Sequence, residues 1–241
     1  AETANTIAAY QEYQIKTQLG KHRDAARTRI EQLEKEGSTG RVNEAKLIFV
    51  GNGRVGKTSL SKVLAGDAFD PGENSTHGVR IKSWPVKMPD GRQLKINVWD
   101  FGGQEVYHNT HRFFLTTRAL YMLVWDKATQ EDALLHPDRD DHNRNFTHEY
   151  WLQNVKMLSA GSPVLMVQNK VENGREPINQ QAFVPKFNVR DFVEVSAAEG
   201  TDLDRLQEKL LEQYHAAPGL KDLIGYDLPE NWIAVRRELE A

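Results

Sequence analysis

The chain has 241 residues, 39% apolar and 27% charged, with a formal net charge of −3. That is enough chain for one ordinary domain with appendages, in the composition range of water-soluble globular proteins. The charge gives no reason to expect a nucleic acid or an anionic membrane as partner, and with no cysteine there is no disulfide or thiolate metal site.

From the N-terminus, residues 3–36 carry no proline, one glycine and a near balance of charges, with apolar Ile7, Tyr10, Leu19, Ile30 and Leu33 loosely at helical spacing. This predicts one or two polar helices, stopped at Gly37-Ser38-Thr39-Gly40. From Glu44 onward the pattern alternates between strand and helix. Lys46–Val50 predicts a short buried strand, Ser59–Leu64 the first turns of a helix, and 70–75 a turn-rich loop. Val79–Lys87 and Gln93–Trp99 predict a hairpin about Pro89-Asp90-Gly91, and Ala119–Asp126 another buried strand. Residues 127–144, with five acids between Glu131 and Asp141, read as a polar inserted loop. Asn145–Ser159 predicts a helix with Tyr150, Trp151, Val155 and Leu158 for one face. Strands follow at Pro163–Gln168 and Asp191–Val195, then a helix over Thr201–Tyr214 capped by Thr201 and Asp202. Strands separated by helices predict an α/β fold, a mostly parallel six-stranded sheet with helices on both faces. The longest apolar run, Ala119–Trp125, is too short to span a bilayer, no signal peptide pattern is seen, and a cytoplasmic setting is the expectation.

Gly51-Asn52-Gly53-Arg54-Val55-Gly56-Lys57-Thr58, followed by Ser59, fits the phosphate-binding loop of P-loop NTPases, with the strand before and the helix after that the motif needs. Glycines let the backbone wrap a phosphate chain, and N–H groups at the helix N-terminus point at the anion. Lys57 is placed to reach the β- and γ-phosphates, and the Thr58 hydroxyl to ligate Mg²⁺. In Asp100-Phe101-Gly102-Gly103-Gln104, Asp100 can hold Mg²⁺ through water, the Gly103 N–H can meet the γ-phosphate, and Gln104 can orient the attacking water. Thr76, nineteen positions after Lys57, can complete the Mg²⁺ shell while γ-phosphate is present. Asn169-Lys170-Val171-Glu172 follows a strand: the Glu172 carboxylate can accept from guanine N1–H and N2–H₂, and the Lys170 stem can cover the base. Ser196-Ala197-Ala198 can aim a backbone N–H at guanine O6. His77, His108 and His111 suggest a metal, but with no cysteine or acidic set beside them packing or solvent contact is the expectation.

These five motifs resemble the small-GTPase superfamily from about Glu44 to Tyr214. Within it the chain is most similar to the Roc domain of Roco proteins, the group that includes the leucine-rich-repeat kinases. The likeness is carried by Trp99-Asp100-Phe101-Gly102-Gly103-Gln104-Glu105, His111-Arg112-Phe113-Phe114-Leu115-Thr116, and Glu149-Tyr150-Trp151-Leu152 before Gly161-Ser162-Pro163-Val164. The tail from Leu228-Pro229-Glu230-Asn231-Trp232 to Leu239 resembles the start of a COR domain. The resemblance implies residues 1–40 as a link from a leucine-rich-repeat domain, 41–217 as Roc, and 218–241 as linker and start of COR. It further implies GTP/GDP and Mg²⁺ as cofactors, GTP hydrolysis, and a homodimer formed through Roc and COR. Glu172 stands where the superfamily carries Asp, and the Asp-x-Gly-Gly-Gln string is shared with Arf and Gα proteins. Arg139 and Arg144 are candidate arginine fingers across a dimer, or partners for neighbouring acids. The competing function is a guanine-nucleotide-dependent dimerisation scaffold with negligible hydrolysis.

Overall fold

A computed structural model describes residues 39–73, 76, 78–88, 91, 93–101, 119–139, 144–159, 161–216 and 224–240. The expected N-terminal helices, the Gly102-Gly103-Gln104 string, the 105–118 segment and His77, His108 and His111 lie outside them.

The chain divides into two compact units, and residues 43–224 make one of them. Its strands are β1 (Thr39–Val50, within this unit from Asn43 onward), β2 (Val79–Lys87), β3 (Gln93–Phe101), β4 (Leu120–Trp125), β5 (Val164–Gln168) and β6 (Val189–Glu194). They form a sheet in the order β2-β3-β1-β4-β5-β6. β1 runs parallel to β3 and β4, β5 runs parallel to β4 and β6, and only the β2–β3 hairpin is antiparallel. The helices are α1 (Lys57–Leu64), α2 (Lys127–Leu135), α3 (His148–Leu158), the single turn α4 (Gln180–Phe183) and α5 (Leu203–Ala216).

The central strands read as unbroken apolar runs because both faces of the sheet are covered. Side chains alternate across a strand, so the run sorts itself into two cores. Leu47, Phe49, Leu120, Met122, Val124, Leu165 and Val167 pack with Leu60 and Leu64 of α1 and with Leu206, Leu210 and Tyr214 of α5. Ile48, Val50, Tyr121, Leu123, Val164 and Met166 pack on the other face with Trp151, Leu152 and Val155 of α3. Leu206, Leu210 and Tyr214 recur every fourth residue, one stripe of α5. The Tyr214 hydroxyl, inside that core, donates to the Lys46 carbonyl at 3.0 Å.

Two expectations change. β1 begins at Thr39, seven residues before the apolar run, and its pairing with β3 begins at Glu44, which lies opposite Lys95 and accepts from Asn97 Nδ2 at 3.3 Å. The expected loop at 127–144 opens instead with helix α2. Asp126 caps that helix, its Oδ1 accepting the Thr129 N–H at 2.8 Å. Its buried side chains are Thr129, Gln130 and Ala133, while Leu134 and Leu135 are exposed, so apolar spacing carries no trace of it. At α5, Asp202 stands in the left-handed region at φ 54°, and its carbonyl accepts the helix's first bond from the Leu206 N–H.

The second unit, taken by itself, contains β7 (Ile224–Pro229) from Gly225 onward, which runs directly into α6 (Glu230–Glu240), where Val235 is buried. Among the described residues no helix is long and apolar enough to cross a membrane.

Candidate functional site

Parallel strands carry their following loops to one edge of the sheet. The register sets Phe49 beside Asp100, Val50 beside Leu123, and Gln168 between Trp125 and Glu194. The loop after β1, the end of β3, the Asp126 turn after β4, Asn169 after β5 and Ser196 after β6 therefore share one rim. Strand order reverses about β1, the switch point where open α/β sheets bind ligands.

The first loop is shaped by contacts that exclude side chains. At Gly51, φ is 134° and a Cβ would stand 2.0 Å from the Val124 carbonyl oxygen. At Gly56, φ is 87° and a Cβ would stand 2.4 Å from Asn169 Nδ2. Gly51 is demanded by strand β4 and Gly56 by the loop after β5. Gly56 caps α1 and its carbonyl accepts from Leu60 N–H, which leaves the first N–H groups, at Lys57, Thr58 and Ser59, without helical partners. Arg54 is exposed and non-glycine, yet sits at φ 65°. Val55 is buried beneath the loop.

Lys57 is 5% exposed, and its Nζ donates to the carbonyls of Gly51 at 2.9 Å and Asn52 at 2.7 Å. Burial pushes its pKa down to about 8, against the opposing pull of the Asp100 charge. Asp100, buried at the end of β3, accepts from the Thr58 hydroxyl at 2.5 Å and from Thr76 at 3.4 Å through Oδ2. The two hydroxyls are 2.7 Å apart. Burial raises the Asp100 pKa, opposed by the Thr58 hydrogen bond, the Lys57 charge, Thr76 and Arg80. The other carboxylate oxygen, Oδ1, is buried and has no hydrogen-bond partner among the described residues. Two hydroxyls and a carboxylate with a spare oxygen form an all-oxygen donor set that suits a hard divalent cation such as Mg²⁺. Thr58, Thr76 and Asp100, expected from sequence to share one ion, stand together.

On the other side, Asn169 is 1% exposed and joins three loops. Its Nδ2 donates to the Val55 carbonyl at 2.9 Å, and its Oδ1 accepts the Ala197 N–H at 3.0 Å. Lys170, at φ 59°, reaches back to the first loop, donating to the Arg54 carbonyl at 2.6 Å and pairing with Asp126 at 3.0 Å. Glu172 lies exposed on a single 3₁₀ turn, Val171–Asn173. In the 196–198 turn, expected to aim one backbone N–H at a base oxygen, the N–H of Ser196 bonds the Thr201 carbonyl and that of Ala197 bonds Asn169 Oδ1.

Gly103 and Gln104 lie outside the described residues. Arg139 pairs with Asp132 at 3.1 Å, the alternative to a finger role. Arg144 donates to the Pro137 carbonyl at 2.8 Å and lies over the Phe146 ring. Sequence reasoning missed Asp126, the acid that pairs with Lys170, and the partners of Asn52. The Asn52 side chain points into the protein, toward Phe146 and Trp151. The available signal was an amide set between the glycines Gly51 and Gly53, since a buried amide needs partners.

Comparison with known proteins agrees with this geometry. The family model described as Ras of Complex, Roc, domain of DAPkinase matches residues 46–172. A Roc-COR-CHAT protease from Runella zeae is 29% identical over 214 residues, covering 82% of this chain and 22% of that protein. The probable serine/threonine-protein kinase roco5 of Dictyostelium discoideum is 26% identical over 247 residues, covering 80% of this chain and 8% of that protein. The chain thus spans about a fifth or less of the length of these relatives. The solved structure of Methanosarcina barkeri Roco2 RocCORdC bound to GDP is 33% identical with a TM-score of 0.67, over 85% of this chain and 58% of that one. The family match takes in more than half of the chain, from the strand before the phosphate loop to Glu172, and this chain belongs to the Roc family, the Ras-like GTPase domain of Roco proteins.

Proposed function

We propose that this chain binds Mg²⁺ with a guanine nucleotide at the β1–α1 loop, hydrolyses GTP slowly to GDP, and so switches the conformation and dimer contacts of a larger Roco protein. The observation that carries the reading is the meeting of Thr58, Thr76 and Asp100, with one buried carboxylate oxygen unpartnered among the described residues, beside Lys57. The relative solved with GDP supports the choice of guanine nucleotide. Residues 1–40 are then the link toward a leucine-rich-repeat domain, 41–217 the Roc domain and 218–241 the linker and start of COR, with a homodimer formed through Roc and COR.

In this mechanism the loop amides from Gly51 to Ser59 cradle the phosphates. The Lys57 ammonium, already desolvated, offers its charge to the β- and γ-phosphates. Thr58, Thr76 and Asp100 hold the Mg²⁺ ion, whose charge offsets that of the phosphate oxygens when bound. Thr76 reports on the γ-phosphate and makes its loop the switch. Gln104 orients the attacking water and the Gly103 N–H meets the γ-phosphate, roles supported by their places after Asp100 in the sequence. Asn169 holds the base loops against the phosphate loop, the Lys170 stem covers the base, Glu172 accepts from its N1–H and N2–H₂ edge, and the 196–198 turn faces O6.

Gln104→Leu is expected to slow single-turnover GTP hydrolysis about tenfold or more with GDP affinity unchanged, because the side chain acts on water and not on bound nucleotide. An unchanged rate removes Gln104 from the mechanism. A parent that binds GTP but shows no turnover at any protein concentration favours the scaffold reading.

A further inference from the structure

Within the nucleotide reading above, we propose that Asn52 is a positioning residue: its side chain fastens the phosphate loop to Phe146 and Trp151 and makes nucleotide retention depend on the first turn of α3. The phosphate chain asks for no particular side chain at this position, which the loop motif leaves open. Here the side chain is an amide, 5% exposed, that makes three hydrogen bonds. Its Nδ2 donates to the Phe146 carbonyl at 2.9 Å, and its Oδ1 accepts the Phe146 N–H at 2.9 Å. It thus pairs with both backbone groups of one residue, as a neighbouring peptide would. Oδ1 also accepts the indole Nε1–H of Trp151 at 3.1 Å.

The same residue's backbone carbonyl holds Lys57 Nζ at 2.7 Å. Asn52 therefore grips α3 by its side chain and the phosphate-binding lysine by its backbone. Its neighbours Gly51 and Gly53 have no side chains with which to fix the loop. The anchor itself is well held: Trp151 is 2% exposed in the α3 core, the Phe146 ring lies tilted against Tyr150 with centroids 4.3 Å apart, and the Thr147 side chain caps the helix at Tyr150 N–H. A shift of this turn moves the Asn52 peptide, and loop amides aimed at phosphates lose alignment with small displacements.

The test is the rate at which a fluorescent GDP analogue is released from the full chain in Mg²⁺, chased with excess GDP. Trp151→Phe keeps a buried ring and removes one N–H, so release should quicken about fivefold, the worth of one hydrogen bond. Asn52→Ala removes all three bonds and should quicken release about twentyfold or more. The double variant should release no faster than Asn52→Ala alone, since both changes act through the same amide. Val155→Ala, in the same helix core but not bonded to Asn52, should lower the thermal midpoint with release at the parent rate. Parent-like release from Trp151→Phe, additive effects in the double variant, or equally fast release from Val155→Ala overturns the proposal and leaves nucleotide binding standing. A parent that does not hold the analogue overturns the nucleotide reading and this proposal together.

Discussion

His148 shows how burial alone sets the behaviour of a side chain. It is 6% exposed, edge-on to Trp125 at 4.4 Å and 6.0 Å from the Phe183 ring, with Nε2 buried and unpartnered. Taking the ring out of water disfavours its charged form and pushes the pKa down to about 4. The unfolded chain, with an ordinary value near 6.5, binds more protons between these two pH values. The stability that comes with a neutral His148 is therefore complete above about pH 6.5 and lost as pH falls to about 4, on the order of 3 kcal/mol in all. Urea unfolding at pH 7 and pH 4.5 should show this loss in the parent, and His148→Phe should remove that part of it. A variant with the parent's pH dependence assigns the acid sensitivity elsewhere. At Asp100 and Lys57 burial acts on opposite charges and disfavours each, and their mutual attraction opposes that at both.

At the scale of elements, Asp126 serves two structures at once. Its Oδ1 caps α2 at the Thr129 N–H, and its Oδ2 holds the Lys170 ammonium that reaches the Arg54 carbonyl. Asp126→Ala is expected to cost about 1 kcal/mol for the cap. It should also weaken GDP binding by releasing Lys170; Asp126→Asn, which retains a capping oxygen, should recover the stability more fully than the affinity. Calorimetry of both variants beside their thermal midpoints separates the two effects, and equal recovery of both would show that the ion pair has no part in binding. Neither α2 nor this pairing was legible in the sequence, for a physical reason. α2 turns Thr129, Gln130 and Ala133 inward and leaves Leu134 and Leu135 in solvent, which inverts the pattern that marks a helix. The strands behaved differently, because a sheet covered on both faces writes itself as apolar runs such as Leu47–Val50 and Leu120–Trp125.

For the whole molecule, the site was readable from sequence wherever chemistry constrains residue type within a short string. The loop from Gly51 to Thr58 and the Asn169-Lys170 pair are of this kind, and the structure brings them together through Asn169 Nδ2 and the Val55 carbonyl. What the sequence hid are links between distant residues, 94 positions apart for Asn52 and Phe146 and 28 for Asn169 and Ala197, where one side chain satisfies another loop's backbone. Such links exist only once parallel strands have placed their loops on one rim. The same rim makes nucleotide binding a single event, in which Lys57, the Thr58–Thr76–Asp100 oxygens and the base loops must act on one ligand. Calorimetric titration of the nucleotide-free chain with GDP and with ADP, in Mg²⁺ and in EDTA, for the parent and for Lys57→Ala, measures it most directly. Expected are tight GDP binding by the parent in Mg²⁺, weaker binding in EDTA, little response to ADP, and loss of GDP binding in a Lys57→Ala variant that remains folded. Equal GDP affinity in the two proteins, or equal affinity for GDP and ADP in the parent, would contradict this expectation.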